Sequence, residues 1–412
     1  MAPLRVLVLG AGFGGLELST RLAEDLGDDV QVTLIDKSDA FVFGFSKLDV
    51  MFAGRTLDEV RLPYRSIDRA NVQFRQETVL SIDPEQKRVL TDQGTHEADV
   101  LVVALGADLD VEATPGLAAC GSDFYSPEGA AALTEVLAGF TSGNIVIAVF
   151  GGFFKCPPAP YETAFMLHDQ LTRRQVREAC TITLVTPMPK PIPISDEVSN
   201  AILGLCEQRR IVTRHSTWIE YVDDAKRMLQ LRDGGTLAFD LLLAVPVHRA
   251  PQVVVDSGLT DDGWIAVDPA TLATKFPGVY AVGDVTSAPV PRAGVIAEGE
   301  ASTVADVLVA QVRGGPAPPP YAGAITCYVE MGDGTIGKVD VNFLSGPDGG
   351  VHRALTERGG GETGVRSGTP PALVRAELRP GQKPRPSGAF RVDTRPRRRG
   401  VVAPEWGLLT LG

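Results

Sequence analysis

A glycine pattern near the N-terminus constrains the fold more than any other feature of this sequence. Gly10, Gly12 and Gly15 form G-x-G-x-x-G between an apolar run at residues 5–9 and residues 16–26, which have helical spacing. In such a pattern the first glycine permits a tight turn, the second lets a pyrophosphate approach the backbone, and the third lets helix and strand pack closely. The helix N-terminus then faces the phosphate charge. The pattern therefore predicts a dinucleotide site.

The next element ends in an acidic residue. Residues 30–35 form a second apolar run, and Asp36 follows it directly, 21 positions after Gly15. A carboxylate at this place accepts hydrogen bonds from a ribose hydroxyl. Strand and helix that alternate so closely predict a right-handed βαβ unit on a parallel sheet, and hence an α/β fold. The competing interpretation is a glycine-rich turn in any α/β protein.

Length and composition limit the class of protein. A chain of 412 residues exceeds what one core usually serves, so two or three domains are expected. The hydrophobic fraction of 44% is typical of a soluble globular chain, and the net charge of −12 argues against nucleic-acid binding. No apolar run reaches the ~20 residues that cross a bilayer, and residues 1–15 leave no room for a signal peptide. We therefore expect a cytoplasmic location, with peripheral contact to the inner membrane face left open.

The strand–turn–helix pattern repeats in the second part of the chain, where residues 145–150 are apolar and residues 162–171 have helical spacing. The repeat predicts two Rossmann-like domains. Residues 324–343 alternate well enough for two or three further strands, which form a small C-terminal β-containing segment. The predicted units are a discontinuous nucleotide-binding domain at 1–110 and 270–313, a second domain at 111–269, and an interface segment at 321–345.

The C-terminal residues differ in composition from the rest. Residues 346–412 are rich in Gly, Pro and Arg and have few aromatic or β-branched residues. They lack the apolar periodicity that buries a core, so we expect a disordered tail. An out-of-frame reading of GC-rich DNA produces the same bias, and both origins stay open at this point.

A second motif identifies the dinucleotide. Residues 274–284 form a strand that ends in Gly283 and Asp284. This resembles the second FAD motif of the glutathione-reductase-like flavoproteins, in which the aspartate holds the ribityl chain. Residues 102–106, which end in Gly106, resemble the link between the FAD domain and the second domain in those proteins. The resemblance implies that the first domain binds FAD; a turn-capping role is the alternative for Asp284.

Arg292 follows the Gly-Asp motif at the place where a helix should point under the flavin. The resemblance implies that its positive charge lies near N1 of the reduced ring. A solvated arginine is an equally good interpretation, so the sequence leaves both open.

The equivalent loop of the second domain is poorly suited to phosphate. Residues 151–162 offer two adjacent glycines but no G-x-G-x-x-G pattern. Proline lacks the backbone N–H that a phosphate cradle uses, although it suits the first turn of a helix. The loop contains three such residues, Pro157, Pro158 and Pro160. It is therefore better suited to holding a side chain rigidly.

The side chain at that point is a thiol. Cys156 precedes the expected helix, whose dipole favours a thiolate, and Lys155 adds positive charge. Glu162 lies six positions on and is a candidate proton acceptor. The alternative is that Cys156 is a small buried hydrophobic residue in a rigid loop.

The loop at residues 155–162 resembles the active-site loop of sulfide:quinone oxidoreductases and of the flavoprotein subunit of flavocytochrome c sulfide dehydrogenase. That family has a second cysteine near the C-terminal end in a Thr-Cys-Tyr context, which Thr326-Cys327-Tyr328 matches. The resemblance covers residues 4–343. It implies that Cys156 and Cys327 form a redox pair beside FAD, that sulfide or a related small sulfur compound is the substrate, and that electrons pass to a quinone or a carrier protein.

The sequence departs from this family in three ways. A further cysteine that many quinone-reducing members have is replaced by Phe124-Tyr125-Ser126-Pro127, and Cys120 does not fit the register. No apolar C-terminal helices follow residue 343, and no export signal precedes the first strand. The physiological acceptor, the oligomeric state and covalent attachment of FAD therefore stay open.

Two other functions remain. One is an NAD(P)H dehydrogenase or ferredoxin-type reductase of the same fold, which the proline-rich loop argues against. The other is a flavin-binding regulatory protein without turnover. No C-x-x-C pair or other metal-ligand spacing occurs, so no metal is expected. Cys180 and Cys206 fit small core residues, and His168 fits a satisfied core histidine.

Overall fold

A computed structural model describes residues 2–67, 69–344 and 351–358, the last of these for the backbone only. All of them belong to one compact unit, Met1–Leu378, and the second unit, Arg379–Gly412, lies outside the described residues. The α-helices of the described part are α1 Phe13–Leu26, α2 Ser46–Phe52, α3 Leu57–Val60, α4 Leu117–Cys120, α5 Pro127–Gly139, α6 Ala159–Arg173, α7 Asp196–Gln208, α8 Gln252–Asp256 and α9 Gly294–Arg313.

The strands of the described part are β1 Leu4–Leu9, β2 Val30–Asp36, β3 Ala40–Val42, β4 Arg61–Pro63, β5 Val72–Gln76, β6 Val79–Asp83, β7 Arg88–Thr91, β8 Thr95–Glu97, β9 Val100–Val103, β10 Asp108–Asp110, β11 Ser122–Asp123, β12 Gly143–Val149, β13 Cys180–Val185, β14 Ile211–Arg214, β15 Ile219–Asp223, β16 Met228–Leu231, β17 Thr236–Ala238, β18 Leu241–Val245, β19 Val247–Arg249, β20 Thr260–Asp261, β21 Trp264–Ile265, β22 Val279–Ala281, β23 Ala324–Gly332, β24 Thr335–Asn342 and β25 Val351–Arg358.

The first core is built on a five-stranded parallel sheet in the order β22-β9-β1-β2-β5. Strand β1 is apolar from Val6 to the end and fully buried there, as expected of a central strand covered on both faces. Helices α1 and α9 pack against each other. Because these strands are parallel, the carboxyl ends of β1, β9 and β22 lie at one edge of the sheet. Ligands of open α/β sheets bind at that edge.

The second core repeats this architecture with a parallel sheet in the order β11-β18-β12-β13-β14. Helix α6 follows β12 and buries Phe165 and Leu167 completely. Burial of one such side chain contributes roughly 1.5–3 kcal/mol. Each half also carries a three-stranded antiparallel sheet, β6-β7-β8 in the first and β15-β16-β17 in the second.

A C-terminal antiparallel sheet, β23-β24-β25, packs across the two halves. Strand β23 contacts both α6 and α9, and Val329 and Met331 join the core of the second half. The alternating buried and half-buried residues of β24 follow from a strand with one face on a core. Two connections at the sheet edges link the halves further: β10 pairs with β19, and Lys155 bridges to Arg292.

The α/β fold with two Rossmann-like units and a C-terminal β segment is confirmed. The domain boundaries at 110, 270 and 313 stay a prediction. The disordered tail predicted for 346–412 did not anticipate β25, an eight-residue strand that forms seven residue pairs with β24. The remainder of that prediction lies outside the described residues.

Candidate active site

The glycine loop lies between β1 and α1 and has the geometry that each glycine was expected to provide. Gly10 has a φ of 98°, and a Cβ there would lie 2.3 Å from the carbonyl oxygen of Ala104. A Cβ at Gly15 would lie 1.8 Å from the carbonyl oxygen of Gly10. A Cβ at Gly12 would meet nothing within 4 Å, although Gly12 directly precedes α1. The open space therefore lies at the helix N-terminus, where a pyrophosphate binds.

Asp36 closes one side of this space. Its carboxylate accepts hydrogen bonds from the backbone N–H groups of Ala11 at 2.7 Å and Ser38 at 2.8 Å. The hydroxyl of Tyr64 donates to the carbonyl oxygen of Ala11 at 2.7 Å. Tyr64 is buried in the core of the first half, and burial raises the pKa of its hydroxyl. The sequence analysis missed Tyr64 because it lies more than 50 positions from the loop that it holds.

The Gly-Asp motif follows β22, at the same edge of the first sheet. Gly283 has a φ of 79°, and its N–H donates to Oε2 of Glu300 at 2.5 Å. Glu300, on α9, is 1% exposed, and burial raises its pKa to about 8. Burial also raises the pKa of Asp284, against the lowering effect of Lys155 and Arg292. Asp284 is therefore a carboxylate enclosed among cations next to the open space.

Gly106 also stands at this edge, three positions after β9 ends. Its φ is 69°, and a Cβ there would meet nothing within 4 Å. The next residue, Ala107, accepts a hydrogen bond through its carbonyl oxygen from Nζ of Lys155 at 3.1 Å. The predicted link between the two halves thus contacts the second loop directly.

Arg292 is held in place and is not a solvated side chain. Its guanidinium donates to the carbonyl oxygens of Asp284 at 2.9 Å and Thr286 at 3.3 Å. It lies 3.8 Å from the ring centroid of Trp264 and 5.3 Å from that of Phe153. The solvated interpretation left open by the sequence is therefore wrong, while the proposed effect on the flavin ring stays a prediction.

The loop after β12 holds Cys156 in an unusual backbone conformation. Its φ is 53°, in the left-handed region that costs a non-glycine residue roughly 1–2 kcal/mol. Its N–H donates to the carbonyl oxygen of Arg292 at 2.7 Å. Its own carbonyl oxygen accepts from the N–H of Ala159 at 2.9 Å and from the hydroxyl of Tyr125 at 3.3 Å. Three hydrogen bonds thus maintain a strained position at the expected reactive residue.

The electrostatics of Cys156 differ from the expectation of a stabilised thiolate. Burial raises the pKa of the Cys156 thiol well above its usual value, and Glu162 and Cys327 raise it further. Lys47 lowers it. Lys155, the cation assigned by the sequence, directs its ammonium group to Ala107 instead. The prediction of a thiolate stabilised at the start of the helix, with Lys155 as the counter-charge, is therefore corrected: desolvation has the largest effect on the pKa of Cys156 and raises it.

The packing of α6 against β23 brings the other expected residues to Cys156. Cys327 is half-buried in β23, and its thiol donates to the carbonyl oxygen of Tyr328 at 3.6 Å. Burial and Glu162 raise its pKa to about 12. Glu162 is completely buried in α6, and its Oε1 accepts from the N–H of Glu330 at 2.8 Å. Since the charge of Glu162 raises the pKa of both thiols, the three groups form one cluster. The two cysteines are not joined by a disulfide bond in this structure.

Three further side chains surround this cluster, and the sequence analysis assigned none of them to the site. Lys47, on α2, donates to the carbonyl oxygen of Tyr125. His248, on β19, lies edge-on to the Tyr125 ring at 5.5 Å. Its Nδ1 lies 2.9 Å from the carbonyl oxygen of Pro246, so that nitrogen carries the proton. Burial lowers the pKa of His248 to about 3, and the ring is therefore neutral. No local motif marks these residues.

The remaining cysteines lie apart from the cluster. Cys180 and Cys206 are buried in the core of the second half, as expected of small core residues. Cys120 donates to the carbonyl oxygen of Gly116 at 3.7 Å. His168 accepts from Nε of Arg177 at 2.9 Å, in agreement with a satisfied histidine.

Comparison with known proteins connects this geometry to an enzyme family. Residues 4–310 match the family described as pyridine nucleotide-disulphide oxidoreductase. The mitochondrial sulfide:quinone oxidoreductase of Schizosaccharomyces pombe is 27% identical over 364 residues, which cover 81% of this chain and 79% of that protein. A type II NADH:quinone oxidoreductase of Staphylococcus haemolyticus is 26% identical over 56% of this chain and 60% of its own length.

A solved structure extends the likeness to three dimensions. The sulfide:quinone oxidoreductase of Aquifex aeolicus superposes with a TM-score of 0.76 at 23% sequence identity, over 86% of each chain. At this identity the likeness establishes the fold.

Proposed function

We propose that this chain, which belongs to the pyridine nucleotide-disulphide oxidoreductase family, oxidises hydrosulfide or a related small sulfur nucleophile through Cys156 and Cys327. One observation carries the proposal. Where the second Rossmann-like unit could hold a nucleotide, it holds a strained cysteine, and β23 brings Cys327 to the same cluster. A thiol pair so placed suits exchange with a sulfur substrate.

The enzyme class and the cofactor predicted from the sequence are confirmed: the chain is an FAD-dependent oxidoreductase. The first half fits FAD, because Gly12 leaves space at the N-terminus of α1 and Asp284 presents an enclosed carboxylate beside it. Asp36, Gly106 and Gly283 would complete the binding loops. FAD, when bound, supplies a two-electron acceptor for the thiol pair.

The first step expected of the pair is thiol–disulfide exchange. In the oxidised enzyme Cys156 and Cys327 would share a disulfide. Hydrosulfide attacks the sulfur of Cys156, so that a new S–S bond forms there and the bond to Cys327 breaks. A thiol with a pKa of about 12 leaves poorly as a thiolate. Glu162 would therefore give Cys327 a proton as it leaves.

The second step releases the sulfur. A second hydrosulfide attacks the outer sulfur on Cys156, forming disulfane and leaving Cys156 as a thiolate. Re-forming the disulfide then removes two electrons and the one proton of Cys327. Bound FAD would supply the acceptor for the two electrons, and the proton returns to Glu162, which restores the disulfide and the carboxyl group.

A quinone is the electron acceptor that we favour, because both oxidoreductases named above reduce a quinone according to their names. Transfer to a membrane quinone would require contact with the membrane surface, on the cytoplasmic side that the sequence predicts. Within the described residues no helix combines the length and the apolarity needed to cross a membrane. A carrier protein is the alternative acceptor, and steady-state assays with a soluble quinone analogue would separate the two.

The competing function is that of a nicotinamide-dependent reductase, which the Staphylococcus relative favours. Anaerobic mixing of the FAD-loaded protein with sulfide, NADH or NADPH tests both functions. We expect sulfide to bleach the visible flavin absorbance within the mixing experiment and both nicotinamides to leave it unchanged. Rapid bleaching by NADH with no response to sulfide would contradict the proposal, and no response to any of the three would favour a regulatory flavoprotein.

A further inference from the structure

We propose that Lys47 is the cation that stabilises Cys156 as a thiolate, and that Lys47, not Lys155, sets the pH range in which Cys156 reacts. This inference rests on the proposed function, because it assigns a partner to the same thiol. Lys47 lies on α2, more than a hundred positions before the loop that it serves.

The position of Lys47 follows from two hydrogen bonds that meet at one residue. The ammonium group of Lys47 donates to the carbonyl oxygen of Tyr125 and lies 5.7 Å from the centroid of the Tyr125 ring. The hydroxyl of the same tyrosine donates to the carbonyl oxygen of Cys156 at 3.3 Å. Tyr125 is 5% exposed, so this arrangement is rigid. The geometry therefore connects Lys47, through Tyr125, to the backbone of Cys156.

The surrounding charges leave Lys47 as the group suited to this role. Lys47 is the cation whose charge most favours the thiolate of Cys156, while Glu162 opposes it. The ammonium group of Lys155 donates a hydrogen bond to the carbonyl oxygen of Ala107. His248 is neutral, since burial and Lys155 lower its pKa to about 3. A histidine is therefore excluded as the counter-charge.

The charge of Lys47 itself depends on pH. Burial and, to a smaller extent, the charge of Lys155 lower the pKa of Lys47 to about 8, against the raising effects of Asp123, Cys156 and Asp284. These are the charged groups that act on Lys47 from the neighbouring elements. Lys47 is therefore protonated at neutral pH and loses its charge in mildly alkaline solution. There it no longer stabilises the Cys156 thiolate electrostatically.

The test measures the thiol and not the turnover. Anaerobically reduced holoprotein is alkylated with iodoacetamide across a pH series, and the modification of Cys156 is followed by peptide mass spectrometry. The variants are Lys47→Met, which removes the charge, Lys47→Arg, which retains it, and Lys155→Met as the matched control. FAD content and thermal unfolding confirm that each variant folds.

We expect K47M to lower the alkylation rate of Cys156 roughly tenfold at neutral pH, where Lys47 is charged, and to approach the wild-type rate above a pH of about 8, where Lys47 is neutral in both proteins. K47R should keep the wild-type profile, and K155M should not lower the rate at neutral pH, because the loss of Lys155 removes a charge that lowers the pKa of Lys47. If K47M folds poorly, Lys47→Gln provides the same test, because its amide can still donate to Tyr125. An unchanged profile in K47M or K47Q, or an equal shift in K155M, would overturn the inference.

This outcome is separable from the proposed function. If sulfide fails to reduce the flavin of the wild-type protein, the proposed function fails, yet the alkylation profile still reports on Lys47. If sulfide reduces the flavin normally while K47M leaves the profile unchanged, only the role of Lys47 is lost.

Discussion

The loops that follow β1 and β12 occupy equivalent places in two similar parallel sheets but perform opposite tasks. The first uses glycine to expose backbone N–H groups and leaves space at Gly12. The second removes N–H groups with prolines and forces Cys156 into a left-handed conformation. The contrast teaches that one topology supports either a ligand cradle or a fixed reactive side chain, and that the loop residues decide which.

In each half, a buried glutamate on a helix accepts a backbone hydrogen bond that holds part of the site. Glu300 in α9 accepts from the N–H of Gly283, and Glu162 in α6 accepts from the N–H of Glu330. The first therefore holds the turn that carries Asp284, whereas the second joins β23 to the thiol cluster. The same device thus fixes the residues proposed to hold FAD in one half and those proposed to exchange with sulfur in the other.

The largest expected effect is on the reactive loop. Cys156→Ser should reduce the rate of sulfide-dependent flavin reduction on the order of a thousandfold, because the hydroxyl cannot form the disulfide. FAD content should not change, since the first half binds FAD. Cys206→Ser, a buried cysteine outside the cluster, is the control. Full activity in C156S, measured by stopped-flow absorbance, would contradict the proposal that the second loop holds the reactive thiol.

The glycine loop should respond differently at two of its glycine positions. Gly15→Ala should destabilise the protein by a few kcal/mol, because its Cβ would lie 1.8 Å from the carbonyl oxygen of Gly10. Gly12→Ala should leave the apoprotein stable but weaken FAD binding at least tenfold, because the new methyl group enters the pyrophosphate space. Calorimetric unfolding and FAD titration measure the two effects.

Gly151→Ala is the matched control in the second loop. Its Cβ would meet nothing closer than 3.4 Å, and no phosphate is expected there, so both measurements should stay near wild type. Strong loss of FAD in G151A, or equal FAD affinity in G12A and wild type, would contradict the assignment of the two loops.

Glu300→Gln should change how stability depends on pH. The folded pKa of Glu300 is raised from 4.5 to about 8, so the native state binds more protons than the unfolded state in that window. The stability of the wild-type apoprotein therefore falls as pH rises from 4.5 to about 8, by a few kcal/mol. The amide of E300Q does not ionise and still accepts from Gly283.

Denaturant unfolding of both apoproteins across the same pH range checks this. The stability of E300Q relative to wild type should increase with pH. A constant difference between the two proteins would show that Glu300 does not titrate in this window.

The smallest effect concerns backbone strain. Cys156→Gly should be more stable than Cys156→Ala by about 1 kcal/mol, because glycine adopts a φ of 53° without penalty. Thermal unfolding of the two variants measures the difference. Equal stability would mean that the loop relaxes when the thiol is absent.

The sequence predicted those parts of the site that are local. Gly10, Gly12 and Gly15 follow one another within a single turn, so their spacing alone specifies the loop. The prolines around Cys156 likewise act on the residues beside them. Pro160 lies in the first turn of α6, as expected, although the helix begins at Ala159, three residues before the predicted start. Such features need only chain connectivity.

The groups that set the chemistry of the thiol could not be predicted in the same way. Lys47, Tyr125 and His248 come from α2, the segment after β11, and β19, and only packing brings them to Cys156. The assignment of Lys155 as the cation that favours a Cys156 thiolate was wrong for the same reason. Adjacency in sequence indicated a counter-charge, but the side chain extends to Ala107 in the first half.

By itself, the sequence determined the α/β class, the FAD loop, the Gly-Asp motif and the replacement of the second glycine loop by a cysteine. Tertiary structure alone decided the electrostatic environment of that cysteine. The desolvation of a group and its interactions with distant charges depend on which elements enclose it. The same thiol that looked activated beside Lys155 is, in the folded protein, a buried group that depends on Lys47.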